Sequence, residues 1–237
     1  MTLQERIQAV QENIIAAAQK AGRDPREITL CAATKVQTDH TIQAAIAGGI
    51  RVCGENRVQE LTAHWEAGAY AGAEEVHFIG RLQTNKVKFV VGRADLIHSV
   101  GSLHLLRAIE KEAAKQDLIQ DLLLEVNIGR EESKGGCPPE EVMALAAAVG
   151  TMAHVRLRGL MAIPPVSSSS GANLPYFSAM HQLYVDITRE MTDNHYKIDC
   201  LSMGMSADYP DAIAQGATLV RVGTALFGPR PPMGQHR

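Results

Sequence analysis

Residues 200–224 read CLSMGMSADYPDAIAQGATLVRVGT. The stretch opens on an apolar run at 200–203 and breaks at Gly204 and Ser206. A helix starts around Asp208 and Asp211, and a β-branched run follows at 219–222, ending in Gly223 and Thr224. Strand, small-residue turn, helix, strand is the pattern of a parallel βαβ unit. It recurs upstream. Further strand candidates lie at 28–34, 51–54, 76–79, 96–99, 122–127 and 155–161. Helical stretches fall between them at 39–47, 55–67, 102–115, 139–149 and 174–192. Eight strands alternating with helices predict an α/β fold, a single closed (β/α)8 TIM barrel. An open doubly wound sheet would leave two edge strands and would not require eight units.

Ahead of the repeats, Thr2-Leu3-Gln4-Glu5 has the form of a capping box. Leu3, Ile7, Val10, Ile14 and Ala17 or Ala18 follow at helical spacing, and Gly22 ends the run. An extra N-terminal helix is therefore predicted over residues 2–21. The 237 residues are close to the roughly 250 that such a barrel uses as one unit. One domain over 1–237 is expected, with a short irregular tail at 229–237. The serine run at 167–170 reads as a flexible loop after the sixth strand.

Composition narrows the function. Aromatic residues make up 4%, too few for a platform that stacks single-stranded nucleic acid. A net charge of -3 gives no global basic footprint, so no nucleic-acid partner is expected. Glu5, Arg6, Glu12 and Lys20 break any signal-type apolar run, and the uncharged stretch 142–155 is too short for a bilayer core of about 30 Å. No membrane association is expected. Cys31, Cys53, Cys137 and Cys200 lack metal-ligand spacing. They read as free thiols in a reducing, cytoplasmic setting, and no metal site is expected.

Barrel chemistry sits where the strands end. The first strand ends in Ala32-Ala33-Thr34-Lys35. A lysine behind an apolar run is partly desolvated, which lowers its pKa and leaves an amine able to attack a carbonyl. Alone, Lys35 could equally be a surface lysine opening a turn. The second strand ends in Gly54-Glu55-Asn56-Arg57, either a helix start or a polar cluster on the rim. His77 in the third strand reads alone as a satisfied core histidine. The fifth strand ends in Glu125-Val126-Asn127 and feeds a long charged loop carrying Lys134, either solvated or an active-site lid. Gly204, Ser206, Gly223 and Thr224 close the seventh and eighth strands, where barrel enzymes often hold phosphate. Small residues let backbone N–H groups approach an anion, and hydroxyls complete the cradle. Asp208 and Asp211 must then point away from it. Closure places the eighth strand beside the first, so Lys35 adjoins the cradle and Arg221 points inward. A phosphorylated aldehyde held as a Schiff base fits this set, with pyridoxal 5'-phosphate as the candidate cofactor.

At this point the sequence resembles the YggS-type pyridoxal phosphate homeostasis proteins. The matching blocks are Ala33-Thr34-Lys35, Gly54-Glu55-Asn56-Arg57-Val58-Gln59-Glu60 and the run from His77 to Lys86. The run from Arg158 to Pro164, Leu201-Ser202-Met203-Gly204-Met205-Ser206 and the run from Arg221 to Gly228 complete them. Together they span nearly the whole chain. The serine run departs from the pattern as a local insertion, and the last seven residues match nothing.

The resemblance implies a fold-type III barrel like the N-terminal domain of alanine racemase. Lys35 would carry the cofactor. Ser206, Gly223 and Thr224 would hold its phosphate, Arg221 would face the pyridine nitrogen, and Asn56, His77 and Met203 would line the ring pocket. Lys134 would take part in cofactor handover. Members are regarded as cofactor carriers or regulators without established catalysis, so no catalytic residue is assigned. PLP-dependent apo-enzymes are the expected transient partners, and a monomer is expected. The residues agree with that view. A cation facing the pyridine nitrogen keeps it unprotonated and weakens the ring as an electron sink. Racemases of this fold type draw a second base from an additional domain, for which this length leaves no expected room. The alternatives are an amino-acid racemase-like enzyme and a class I aldolase-type barrel in which Lys35 binds a sugar phosphate.

Overall fold

The computed structural model describes residues 1–166, 169, 171–192 and 196–229. Apart from Ser169 and Pro229, the expected serine loop and C-terminal tail lie outside the described residues.

Eight parallel strands form the wall: β1 (Thr29–Ala33), β2 (Val52–Glu55), β3 (Glu75–Phe78), β4 (Leu96–Val100), β5 (Gln120–Val126), β6 (Val155–Ala162), β7 (Tyr196–Met205) and β8 (Leu219–Val222). They pair in sequence order, and β8 pairs back to β1 through Leu219–Thr29, Arg221–Cys31 and Val222–Ala32. The barrel is closed, as the alternation predicts. Its helices are α1 (Leu3–Lys20), α2 (Asp39–Ala47), α3 (Val58–Glu66), α4 (Leu103–Lys115), α5 (Val142–Val149), α6 (Leu174–Glu190), α7 (Tyr209–Ala214) and α8 (Thr224–Phe227). Among the described residues no helix is long and apolar enough to cross a membrane.

Period-two alternation sorts each strand into two faces. Cys31, Ala33, Val52, Ile79, Leu96, Leu123, Met161 and Cys200 make a small inner cluster. Their neighbours Ala32, Cys53, Val76, Phe78, Ile97, Leu122, Leu124 and Leu201 face the helices in the larger outer core. All four cysteines are buried and free, as the spacing suggests.

The N-terminal helix has a structural reason. Thr2 Oγ1 accepts from the Glu5 N–H at 3.2 Å, and the Glu5 carboxylate accepts from the Thr2 N–H at 2.8 Å. This capping box satisfies two otherwise orphaned donors. Ile7, Val10, Ile14 and Ala18 then form one buried stripe against α7 and α8. Those two helices have only 6 and 4 residues and cannot cover the β8–β1 seam alone. Arg6 ties α1 to the Leu226 carbonyl at 2.6 Å, and Arg23 donates to the Ile213 and Ala217 carbonyls at 2.8 and 2.7 Å.

Three differences from the sequence reading shape the strand ends and their connections. Glu55 completes β2 rather than opening the helix, because its carbonyl accepts from the Ile79 N–H at 2.8 Å. A 3-10 helix, Thr84–Phe89, bridges β3 to β4. Strand β7 starts at Tyr196, earlier than its apolar run, because Arg158 clamps the Asp199 carboxylate at 2.6 and 2.9 Å.

Candidate functional site

The C-terminal strand ends gather most of the residues singled out above. Beyond β1, Thr34 is buried and anchored, with its N–H on the Gly54 carbonyl at 2.9 Å. Its hydroxyl donates to the Glu55 carboxyl. Lys35 follows, half-buried, and then Val36 adopts φ +58°. That conformation is rare for a β-branched residue and marks a locally strained turn. The Val36 N–H is held by Glu60 Oε2 at 3.1 Å, reaching across from α3. Burial pushes the Glu55 carboxyl up to about 7, with the Thr34 hydrogen bond opposing it. The Tyr70 ring stands beside this carboxyl, yet Tyr70 Oη and Glu55 Oε2 do not reach hydrogen-bond geometry.

Strands β7 and β8 supply the cradle. Ser206 Oγ accepts from the backbone N–H groups of Gly223 and Ala225 at 3.2 and 3.3 Å. Two N–H donors thus converge on one point, and exposed Thr224 lies between them in sequence. A Cβ on Gly223 would stand 3.4 Å from Ala33 Cβ, so this point abuts the strand that leads to Lys35. The two aspartates are committed elsewhere. Asp208 accepts from the Met205 N–H at 2.7 Å and from Asn173 at 2.8 Å, and Asp211 accepts from the Gly171 N–H at 3.2 Å.

Arg221 lies inside the barrel, 4% exposed. It donates to Ser202 Oγ and to the Ala162 carbonyl, the latter at 2.9 Å. Burial lowers its pKa, with Glu125 among the groups that oppose the shift. Glu125 in turn is raised by burial, against the pull of Arg221 and Arg81.

A cavity of about 230 Å³ opens among Asn56, Arg81, Ser99, Glu125, Lys134 and Ile163. It adjoins a wider one of about 760 Å³ that shares Arg81, Ser99, Glu125 and Lys134. Asn56 Oδ1 and Ser99 Oγ are buried without a partner among the described residues. Gly80 lets the β2 and β3 ends meet: a Cβ there would fall 1.9 Å from the Asn56 carbonyl oxygen. Lys134 sits at the rim, donating to the Pro164 carbonyl at 2.8 Å and pairing with Glu131 at 2.5 Å.

Two expected ring-pocket residues are placed elsewhere. Met203 is fully buried in the outer core, because it alternates with inward-facing Ser202. His77 is inside the barrel, but both ring nitrogens are engaged, by Glu75 and His98. Neither side chain lines the two mouth cavities. Sequence reasoning missed Ser99, Glu60 and His98. An inward histidine at the same depth on the next strand, in Ile97-His98-Ser99, was the available signal.

The alanine racemase N-terminal domain family model matches residues 6–231. A pyridoxal phosphate homeostasis protein of Aquifex aeolicus is 42% identical over 226 residues, covering 95% of this chain and 97% of that one. The chain belongs to the pyridoxal phosphate homeostasis protein family. Another similar structure is that of PipY from Synechococcus elongatus with PLP bound, at 30% identity and a TM-score of 0.82, covering 96% of this chain and all of that one. Beyond the homeostasis family, the barrel of Clostridium difficile alanine racemase superposes with a TM-score of 0.70 at 14% identity. That likeness extends to the fold alone, and the match spans 57% of the racemase chain.

Proposed function

We propose that this chain binds pyridoxal 5'-phosphate, with Lys35 as the Schiff-base lysine, and holds or delivers the cofactor rather than catalysing with it. The observation that carries the reading is the β8–β1 seam. There the Gly223 and Ala225 N–H groups converge on one point, beside the strand that ends in Lys35. Ser206 and Thr224 add hydroxyls to this cradle, and backbone N–H groups at a turn are suited to a phosphate dianion. The orphaned Asn56 and Ser99 oxygens fit a polar ring substituent entering the mouth. Bound there, the cofactor supplies an aldehyde and a conjugated, electron-withdrawing ring.

The chain's own residues favour retention over reaction. Arg221 stays cationic even when buried. Facing the ring nitrogen, it would keep that nitrogen unprotonated and the ring a weak electron sink. His77 and Met203 are supporting structure in this reading and do not touch the ring. Lys134 at the rim is the residue for cofactor handover to apo-enzymes. The chain is taken to act as a cytoplasmic monomer. Relatives named as homeostasis proteins support a role without turnover.

The deciding experiment is mass spectrometry of borohydride-reduced protein. A pyridoxyl adduct on Lys35 is expected, and purified protein should be yellow, with the colour lost in Lys35→Ala. Colourless wild-type protein that takes up no added cofactor would overturn the reading.

A further inference from the structure

Five buried or half-buried groups on four strands form one line of hydrogen bonds through the barrel interior. Arg221 on β8 donates to Ser202 Oγ on β7. Ser202 Oγ stands 3.1 Å from His98 Nδ1 on β4, and His98 Nε2 stands 3.0 Å from His77 Nδ1 on β3. His77 Nε2 meets Glu75 Oε2 at 2.7 Å, at the start of β3. The line begins below the mouth and ends at the opposite, N-terminal face. There Glu75 is half-exposed and borders a cavity of about 570 Å³ under α1.

The two ends fix the direction of every proton between them. Arg221 is a donor that cannot accept. An ionised Glu75 accepts only, so His77 carries its proton on Nε2. With one proton on its ring, His77 then offers Nδ1 as an acceptor, which puts the His98 proton on Nε2. His98 is 0% exposed, and burial and the neighbouring Arg221 strongly disfavour it as a cation. Its Nδ1 is therefore an acceptor, and Ser202 must donate to it while accepting from Arg221. Each donor has one acceptor, and the pattern runs one way. Arg158 and Lys197 face Glu75 at its end, while Glu125 and Asp208 face Arg221 at the other.

We infer that Glu75, His77 and His98 are positioning residues for Arg221. They hold a single tautomer chain that fixes the guanidinium through Ser202, and they couple the N-terminal face of the barrel to the cofactor end. The chain itself is independent of any ligand. Its consequence for the cofactor rests on the function proposed above.

Nitrogen-15 NMR of the histidine rings tests the chain in cofactor-free protein. Both His77 and His98 are expected as Nε2–H tautomers. Glu75→Gln removes the obligate acceptor, since a glutamine amide can also donate. A change in the His98 tautomer signal is expected there, although Glu75 does not touch that ring, and a merely local role would leave His98 unchanged. A wild-type His98 protonated on Nδ1, or a His98 signal identical in Glu75→Gln, overturns the inference. Should Glu75→Gln fail to fold, Ser202→Ala breaks the chain at its other end. The His98 Nδ1 resonance should then shift as it loses its donor while both rings keep their Nε2 protons, and the inference falls if that resonance is unchanged or His98 moves its proton to Nδ1. In the loaded protein, either variant should retain the Lys35 adduct, bind cofactor about tenfold more weakly and shift its visible absorption. Absence of any cofactor uptake by wild type would sink the proposed function and leave the NMR result standing.

Discussion

The backbone N–H of Val36 donates to the Glu60 carboxylate at 3.1 Å, and this contact holds a β-branched residue at φ +58° directly after Lys35. Strain of that kind costs on the order of 1–3 kcal/mol and persists only when the surroundings enforce it. Glu60 and the buried Thr34 enforce it from either side. The turn thereby keeps the Lys35 backbone in one place at the barrel mouth.

Val36→Gly should relieve the strain and stabilise the protein by about 1 kcal/mol in urea denaturation, because glycine adopts positive φ freely. Glu60→Ala should cost about 1 kcal/mol by leaving the Val36 N–H without its charged acceptor. Both should weaken cofactor binding, measured by absorbance titration. Opposite effects on stability with the same effect on binding would separate the turn's role in positioning from its role in folding.

Glu55 predicts a pH dependence of opposite sign to the usual carboxylate. Burial raises its carboxyl from 4.5 unfolded to about 7 folded. Between those values the folded state binds more protons than the unfolded state. Stability from this group is therefore full below pH 4.5, is lost as pH climbs to about 7, and changes no further above it. The loss is on the order of 3 kcal/mol. Glu55→Gln keeps an acceptor for the Thr34 hydroxyl and removes the titration. Denaturant midpoints should show the variant equal to wild type near pH 4 and more stable at pH 8. A wild-type profile that stays level between these pH values would contradict the assignment.

The seam under α1 makes a packing prediction. Ile7 is fully buried between α1 and the short α7 and α8. Ile7→Ala should cost about 2–5 kcal/mol through lost transfer energy and the cavity left behind. Because the same seam carries Lys35 and Gly223, the variant should also release cofactor on milder heating than wild type. Thermal unfolding followed in parallel by circular dichroism and visible absorbance checks both effects.

Much of this architecture was legible in the sequence because it depends on periodicity. Strand β8 and helix α2 fall at 219–222 and 39–47, where the apolar pattern places them. The position of Lys35, Ser206 and Gly223 at the mouth was legible because all three follow strand ends that barrel closure brings together. The mouth was less legible where facing decides. Met203 and Ser202 are neighbours in one short strand, yet one packs outward and the other bonds Arg221. A run of small and apolar residues buried on both faces does not announce which way each points. The Glu75–His77–His98 line was hidden for a further reason. Its members come from two strands whose register only the closed barrel defines.

Gly223 provides the sharpest test of the cradle. It sits at φ −120°, outside the positive-φ range that only glycine adopts freely. A Cβ there would lie 3.4 Å from Ala33 Cβ and 3.6 Å from the Ala33 carbonyl oxygen. Those are ordinary van der Waals separations, so the cofactor-free fold should tolerate Gly223→Ala within about 0.5 kcal/mol. The same methyl group would project into the seam between Gly223 and Ala33, beside the proposed cradle. Cofactor affinity should therefore fall by at least about tenfold, the equivalent of losing one charge-assisted hydrogen bond. Calorimetric titration with pyridoxal 5'-phosphate and with inorganic phosphate should show the same loss. Unchanged affinity for both, in a variant with unchanged stability, would place the phosphate somewhere other than the β8–β1 seam.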